Sequence, residues 1–152
     1  MTSSLRGTTR NSLDDKFRLT LNKRFVDGFG GTDAPVVITV GLDGCLFVMK
    51  PADFDAYVAG LAGNPLEQTT DRRRLCRRVL GHSEVTGFDK AGRLLIPDGL
   101  RSAMGLGESR EVMCVGMDHY LELWAFSAYM VERDRPVHTS SLESQQVVTT
   151  AG

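Results

Sequence analysis

The chain repeats itself at a fixed step. Val40-Gly41-Leu42-Asp43 returns as Val115-Gly116-Met117-Asp118, and Leu46 returns as Leu121. Asp14, Arg18 and Leu19 return as Asp89, Arg93 and Leu94. Every pair is 75 positions apart (40 to 115, 18 to 93), so the copies align without a gap. Self-similarity at one period means one structural unit used twice. One copy has too little interior to stand alone, so two copies with interleaved strands are expected to bury a common core. The shared turn carries Asp, Lys and Arg, which points to cationic rather than catalytic chemistry.

Hydrophobic patterning gives the unit its elements. Residues 1–12 are small and polar, hence a mobile segment or an edge strand. Leu19-Thr20-Leu21 alternates as a short strand, and Gly28 to Asp33 reads as a loop. Val36 to Val40 and Cys45 to Met49 flank an Asp-Gly turn, the signature of a tight hairpin. After Pro51, Phe54, Tyr57, Val58 and Leu61 lie at helical spacing, and Gly63-Asn64-Pro65 ends that helix. A second helix, with Asp71 as its candidate cap, puts Leu75, Cys76, Val79 and Leu80 on one stripe and Arg73, Arg74, Arg77 and Arg78 opposite; Gly81 stops it. The unit then recurs. A strand runs toward Phe88, followed by the turn Asp89-Lys90-Ala91-Gly92-Arg93, a strand through Ile96, and a short helix with Leu100 and Met104. A hairpin (Val112–Val115, Tyr120–Trp124) and a helix with Phe126, Tyr129 and Met130 complete it. The expected fold is α+β and mainly β: tandem units with short helices, related by a pseudo-twofold axis within the chain. The expected boundaries are a flexible segment over 1–12, a first unit over 13–63, a linker with a basic helix over 64–81, a second unit over 82–133, and a disordered tail over 134–152.

Charge distribution says more than the sum. The net charge is −1, yet of 18 Lys and Arg side chains six fall in residues 1–30 and eight in residues 71–101. Both basic blocks contain the first half of a repeat, so a twofold relation can bring them to one face able to bind a polyanion. The Arg73–Arg78 run taken alone reads first as a solvated helix face and second as a phosphate-facing ridge.

Enzyme readings find little support. No nucleophile elbow, P-loop or dinucleotide fingerprint occurs. His82, His119 and His138 lack metal spacing, and no metal or other cofactor is expected. Cys45, Cys76 and Cys114 are odd in number and without CxxC spacing, which points to a reducing cytosol. Asp43 and Asp118 are repeat equivalents, but each precedes a tight hairpin position and reads as a turn residue. No apolar run approaches the roughly 20 residues of a membrane span. The N-terminal residues lack the apolar stretch of a secretory leader. No small-molecule substrate is expected.

Four stretches carry a family resemblance: Leu13-Asp14-Asp15-Lys16 through Thr20; Gly41 to Val48; Asp89-Lys90-Ala91-Gly92-Arg93-Leu94-Leu95-Ile96-Pro97; and Tyr120-Leu121-Glu122-Leu123-Trp124. Across about residues 5–133 the chain resembles the MraZ family, built from two SpoVT–AbrB-like swapped-hairpin (double-psi-like) units. The resemblance implies a nucleoid-associated transcriptional regulator of the bacterial division and cell-wall gene cluster, cytoplasmic and ring-forming, that reads short G-rich direct repeats in double-stranded DNA. It also implies that the DNA-contacting arginine ending the Asp-x-x-Gly-Arg motif is Arg18 in the first copy and Arg93 in the second. Lys16 and Lys90 suit phosphates, and Asp14 and Asp89 suit bracing of the turns. The alternative for each arginine is an ion pair with its own aspartate. The alternative functions are a ring-forming scaffold without specific readout and an antitoxin-like regulator of the single-unit AbrB type. The first copy departs from the pattern, with Phe17 in place of Gly and Asn22 in place of Pro. Phe17 therefore implies either a turn of another shape or a side chain packed on the core or a neighbouring subunit.

Overall fold

A computed structural model describes residues 5–142. The elements in chain order are β1 (Leu5–Ser12), β2 (Arg18–Thr20), α1 (Lys23–Phe29), β3 (Pro35–Val40), β4 (Leu46–Met49), α2 (Pro51–Leu61), α3 (Thr70–Gly81), β5 (Glu84–Gly87), β6 (Arg93–Leu95), α4 (Asp98–Met104), β7 (Glu111–Asp118), β8 (Tyr120–Ala125) and α5 (Phe126–Arg133). The architecture is α+β with mainly antiparallel strands. Strands β2 and β6, like helices α1 and α4, begin and end at positions 75 apart, so the period of the sequence persists in the elements.

Six strands form one sheet in the order β1-β7-β8-β4-β3-β5, and β2 pairs separately with β6. Each half lends its first strand to the other half's hairpin. Strand β1 lies antiparallel on β7, from Leu5 opposite Asp118 to Ser12 opposite Glu111. Strand β5 lies on β3, with Val36 opposite Thr86. At the middle of the sheet Phe47 faces Glu122, and in the small sheet Leu19 faces Leu94. Both are pairs of repeat equivalents. A residue that pairs antiparallel with its own copy lies on the twofold axis relating the copies, so one pseudo-twofold passes through both pairs.

The sheet is covered on both faces. Leu19, Leu94, Ile96 and residues of α1 and α4 pack with Val36, Ile38, Leu46, Val48, Leu121 and Leu123. The neighbouring positions Val37, Phe47, Met49 and Trp124 face the other way and pack with Phe54 of α2 and Val79 of α3. This alternation is the period-two geometry of strands. The β3–β4 turn is tight: Asp43 and Gly44 both have positive φ (65° and 95°), and the Cys45 N–H donates to the Leu42 carbonyl. Asp118, the copy of Asp43, also has positive φ, at 74°. These aspartates hold turn geometry, as the sequence indicates.

Several local readings need correction. Of the two readings of residues 1–12, residues 5–12 take the edge strand, β1, and not the flexible segment. Residues 23–29, unassigned or in part read as loop, are helix α1, whose N-cap Asn22 accepts from the Arg24 N–H and whose C-cap Gly30 is left-handed. The cap of α3 is Thr69, which accepts from the Arg72 N–H, and Asp71 instead sits in the first turn. Gly81 is the last residue of α3, with His82 at its C-cap. Of the tail read as disordered, residues 139–142 are helical, and 143–152 lie outside the described residues.

Gly116 marks how tightly β1 is seated. A Cβ there would stand 2.6 Å from the backbone N and Cα of Arg6 and the carbonyl carbon of Leu5. Gly116→Ala is expected to cost about 2 kcal/mol, the scale of overpacking against atoms that cannot swing aside. Urea unfolding checks this. A midpoint equal to wild type would mean that β1 is not held against β7 as described.

Candidate nucleic-acid interface

Each Asp-to-Arg turn is built by its own aspartate. In the first turn the Arg18 and Lys16 N–H groups both donate to Asp14 Oδ1 at 2.9 Å, and Arg18 Nε donates to Oδ2 at 2.8 Å. In the second, the Ala91 and Arg93 N–H groups donate to Asp89 Oδ1 at 2.9 and 3.0 Å, and Arg93 Nε donates to Oδ2 at 2.6 Å. Main-chain bonds close both loops, Asp14 N–H to Arg18 O and Asp89 N–H to Arg93 O, each 3.0 Å. The carboxylates are thus held by donors that the ionised form requires. The Arg18 N–H is the largest influence keeping Asp14 below the usual aspartate range, and the Arg93 N–H does the same for Asp89; partial burial opposes both.

Strand pairing brings the turns together. Arg18 and Arg93 stand at opposite ends of the short ladder, opposite Leu95 and Thr20, with Leu19 and Leu94 between. Arg18 Nη1 also reaches Asp89 Oδ2 of the other turn at 3.8 Å. All four sequence-derived site residues therefore flank one pseudo-twofold axis. The arginine side chains are about a third exposed (28% and 34%), while Lys16 and Lys90 are exposed outright. Each arginine does form the ion pair with its own aspartate that the sequence allowed. That pair uses Nε. Among the described residues, both terminal nitrogens of Arg93 are left uncommitted. A guanidinium pinned through Nε is pre-oriented, so little rotamer freedom remains to be lost when the other edge binds.

Phe17 keeps the turn shape of its glycine counterpart. Its φ is 61°, against 78° at Gly92. The two turns therefore share one backbone form, and the expectation of a differently shaped first turn is corrected. An aromatic residue is strained in that region, and contacts compensate. The ring is partly buried against the core, with the Arg101 guanidinium 3.7 Å and that of Arg110 5.2 Å from its centre. Arg110 Nη1 also donates to the Asp14 carbonyl at 2.7 Å. Sequence reasoning missed both arginines. Their repeat counterparts are Val26 and Pro35, so the period gave no signal. The cleft of about 640 Å³ beside Phe17 is lined by Arg101 and Arg110 but also by Asp98 and Glu108, a balanced set without preference for an anion.

The two buried cysteines are held as thiols. Burial, reinforced by Glu122 and Asp43, pushes the Cys45 thiol up, and burial pushes Cys114 to about 12. Both are thiols at neutral pH. No group of three or more His, Cys, Asp or Glu among the described residues could hold a metal ion. No helix among them is long and apolar enough to cross a membrane.

The family model of the MraZ protein, described as antitoxin-like, matches residues 4–77 and 79–133. The chain belongs to the MraZ family. It is 32% identical over 128 residues to the transcriptional regulator MraZ of Spiroplasma kunkelii, covering 84% of this chain and 86% of that protein. It is 34% identical over 132 residues to the transcriptional regulator MraZ of Thioalkalivibrio sulfidiphilus, covering 85% of each. It is 34% identical over 119 residues to that of Thermomicrobium roseum, covering 78% and 80%. The matched regions contain both Asp-to-Arg turns, so the paired turns of this MraZ-family chain belong to the part it shares with the family.

The bracing of the turns has a pH signature. An aspartate ordinarily titrates near 3.8, and Asp89 lies below that in the folded chain. A carboxylate whose folded value is depressed contributes its full stability above the unfolded value and loses it as pH falls through the folded value. Asp89→Asn is therefore expected to melt below wild type at pH 7, with the gap closing as pH drops below about 3.8. A gap independent of pH would show that charge has no part in the bracing.

Proposed function

We propose that the protein is a DNA-binding transcriptional regulator whose paired turns read short, G-rich direct repeats upstream of the bacterial division and cell-wall gene cluster. It works in the cytoplasm at the nucleoid, as a ring-shaped homo-oligomer that presents one turn pair per chain to successive repeats. The observation carrying this reading is the juxtaposition of two alike Asp-braced arginine turns about one axis, in a chain whose relatives are named transcriptional regulators.

The chemistry follows from the donor inventory. Arg93, held through Nε, has a terminal N–H pair of the right shape to donate to guanine O6 and N7 in the major groove, a contact of about 1–3 kcal/mol in discrimination. Arg18 is the counterpart, with a weaker claim because it is also drawn to Asp89. Lys16 and Lys90, exposed beside the turns, suit phosphate oxygens and fix the register on the duplex. The aspartates keep the arginines aimed and add negative charge that penalises misplaced phosphates.

A second reading is favoured by one observation, the neutral Asp14–Arg18–Asp89–Arg93 cluster: a ring-forming scaffold in which the turns are structural. Arg93→Ala separates the two. Gel shifts against repeat-bearing and scrambled duplexes are expected to show the variant's preference for the repeat falling about tenfold or more, with the folded state and the mass by light scattering unchanged. An intact preference would contradict the assignment and favour the scaffold.

A further inference from the structure

Helix α3 lies between the two repeats and carries Arg72, Arg73, Arg74, Arg77 and Arg78 against one acid, Asp71. Its inner side is fixed. Val79 is buried, Leu75 packs on the same cluster, and the Val79 carbonyl accepts from Thr39 Oγ1 of β3. Arg74, Arg77 and Arg78 are exposed. At i, i+3 and i+4 they form one patch about 6 Å long. Arg72 and Arg73 donate to nearby main-chain carbonyls, and Arg74 pairs with Asp71 at 3.0 Å. Among the described residues, the guanidinium groups of Arg77 and Arg78 have no partner.

This arrangement works against the helix itself. Arg73 with Arg77, and Arg74 with Arg78, are like charges at i, i+4, which destabilise an isolated helix. Among the described residues, no carboxylate lies within ion-pair distance of Arg77 or Arg78. An external polyanion would. The position of the patch matters as much as its charge. Helix α3 covers the sheet face formed by Val37, Phe47, Met49 and Trp124, whereas β2, β6 and the residues that seat the two turns cover the other. Along most of α3 the six-stranded sheet stands between the helix and the Arg18 and Arg93 turns; the C-terminal end of the helix reaches the β3–β4 turn, where Arg78 lines a cavity with Asp43 and Ala103 of α4.

We infer that α3 is a second, sequence-independent binding surface for the phosphate backbone of duplex DNA, on the side of the sheet away from the turns, so that one chain can hold two duplex segments. The inference rests on duplex DNA being the partner, but not on the turns reading sequence.

The test uses the full chain and the double variant Arg77→Ala/Arg78→Ala, with its melting temperature checked against wild type. Two quantities are read: the salt dependence of binding to a scrambled duplex, and the capture of a labelled free duplex by protein already bound to a bead-tethered repeat duplex. The slope of log K against log salt should become shallower by about 2 per bound chain, the value for two lost phosphate contacts. Capture of the second duplex should fall at least about fivefold, and the preference for repeat over scrambled DNA should stay within about twofold of wild type. An unchanged slope and unchanged capture would overturn the proposal and leave the ridge as a solvated face or a surface for an acidic protein. Loss of repeat preference in the double variant would also overturn it, because the ridge would then touch the same duplex as the turns. Arg93→Ala, run alongside, keeps the two readings distinct: its failure to change the preference bears on the turns, and the difference in capture between it and the triple variant that adds Arg77→Ala/Arg78→Ala bears on α3.

Discussion

The structure depends on a reciprocal exchange of strands. The first half places β1 on the second half's hairpin, and the second half places β5 on the first's. Without that exchange each hairpin would present an open edge, and each half would hold a core too small to be stable alone. With it, a single six-stranded sheet results, and the main buried cluster draws Leu5, Leu19, Val36 and Leu46 from one half and Leu94, Ile96, Val112 and Leu121 from the other. Gly116 admits the backbone of Arg6 and Leu5. The pairs Leu19–Leu94 and Phe47–Glu122 place the axis.

The candidate site is a product of that axis. A lone Asp-braced arginine on a turn would be an ordinary surface ion pair, worth little because it is partly solvated. Two of them, brought side by side by a three-residue ladder, form an edge with matched geometry and an exposed lysine on each side. The halves are not identical, however. Gly92 takes the left-handed conformation without strain, and Phe17 takes it under two stacked guanidinium groups. The second turn is thus the less encumbered, and its arginine is the freer donor.

Much of this was legible. The period of 75 residues pairs Arg18 with Arg93, hydrophobic spacing and turn signals locate the hairpins and the helices after Pro51 and Pro97, and the family resemblance singles out the two arginines. The period also holds a signal for α1: Asn22 and Gly30 stand where Pro97 and Gly105 bound α4. A helix of seven residues has too little periodicity to announce itself, and the caps were the better evidence. The strand order was not legible, because Leu5 and Asp118 meet across more than a hundred residues and alternation does not name a partner. Nor was the Phe17 stack. Arg101 sits on α4 and Arg110 just before β7, at positions whose first-half copies are Val26 and Pro35, and only the folded chain brings them to the ring.

The exchanged strands make the two halves one cooperative body. Native-state hydrogen exchange as a function of denaturant tests it most directly. The β1 amides bonded to β7 and the Leu19–Leu94 ladder are expected to open with the same free energy and denaturant dependence as the central strands β4 and β8. Low-energy opening of β1 and β2 while both hairpins stay protected would contradict it, because the exchange would then be a loose association and the pairing of the two turns would lose its physical basis.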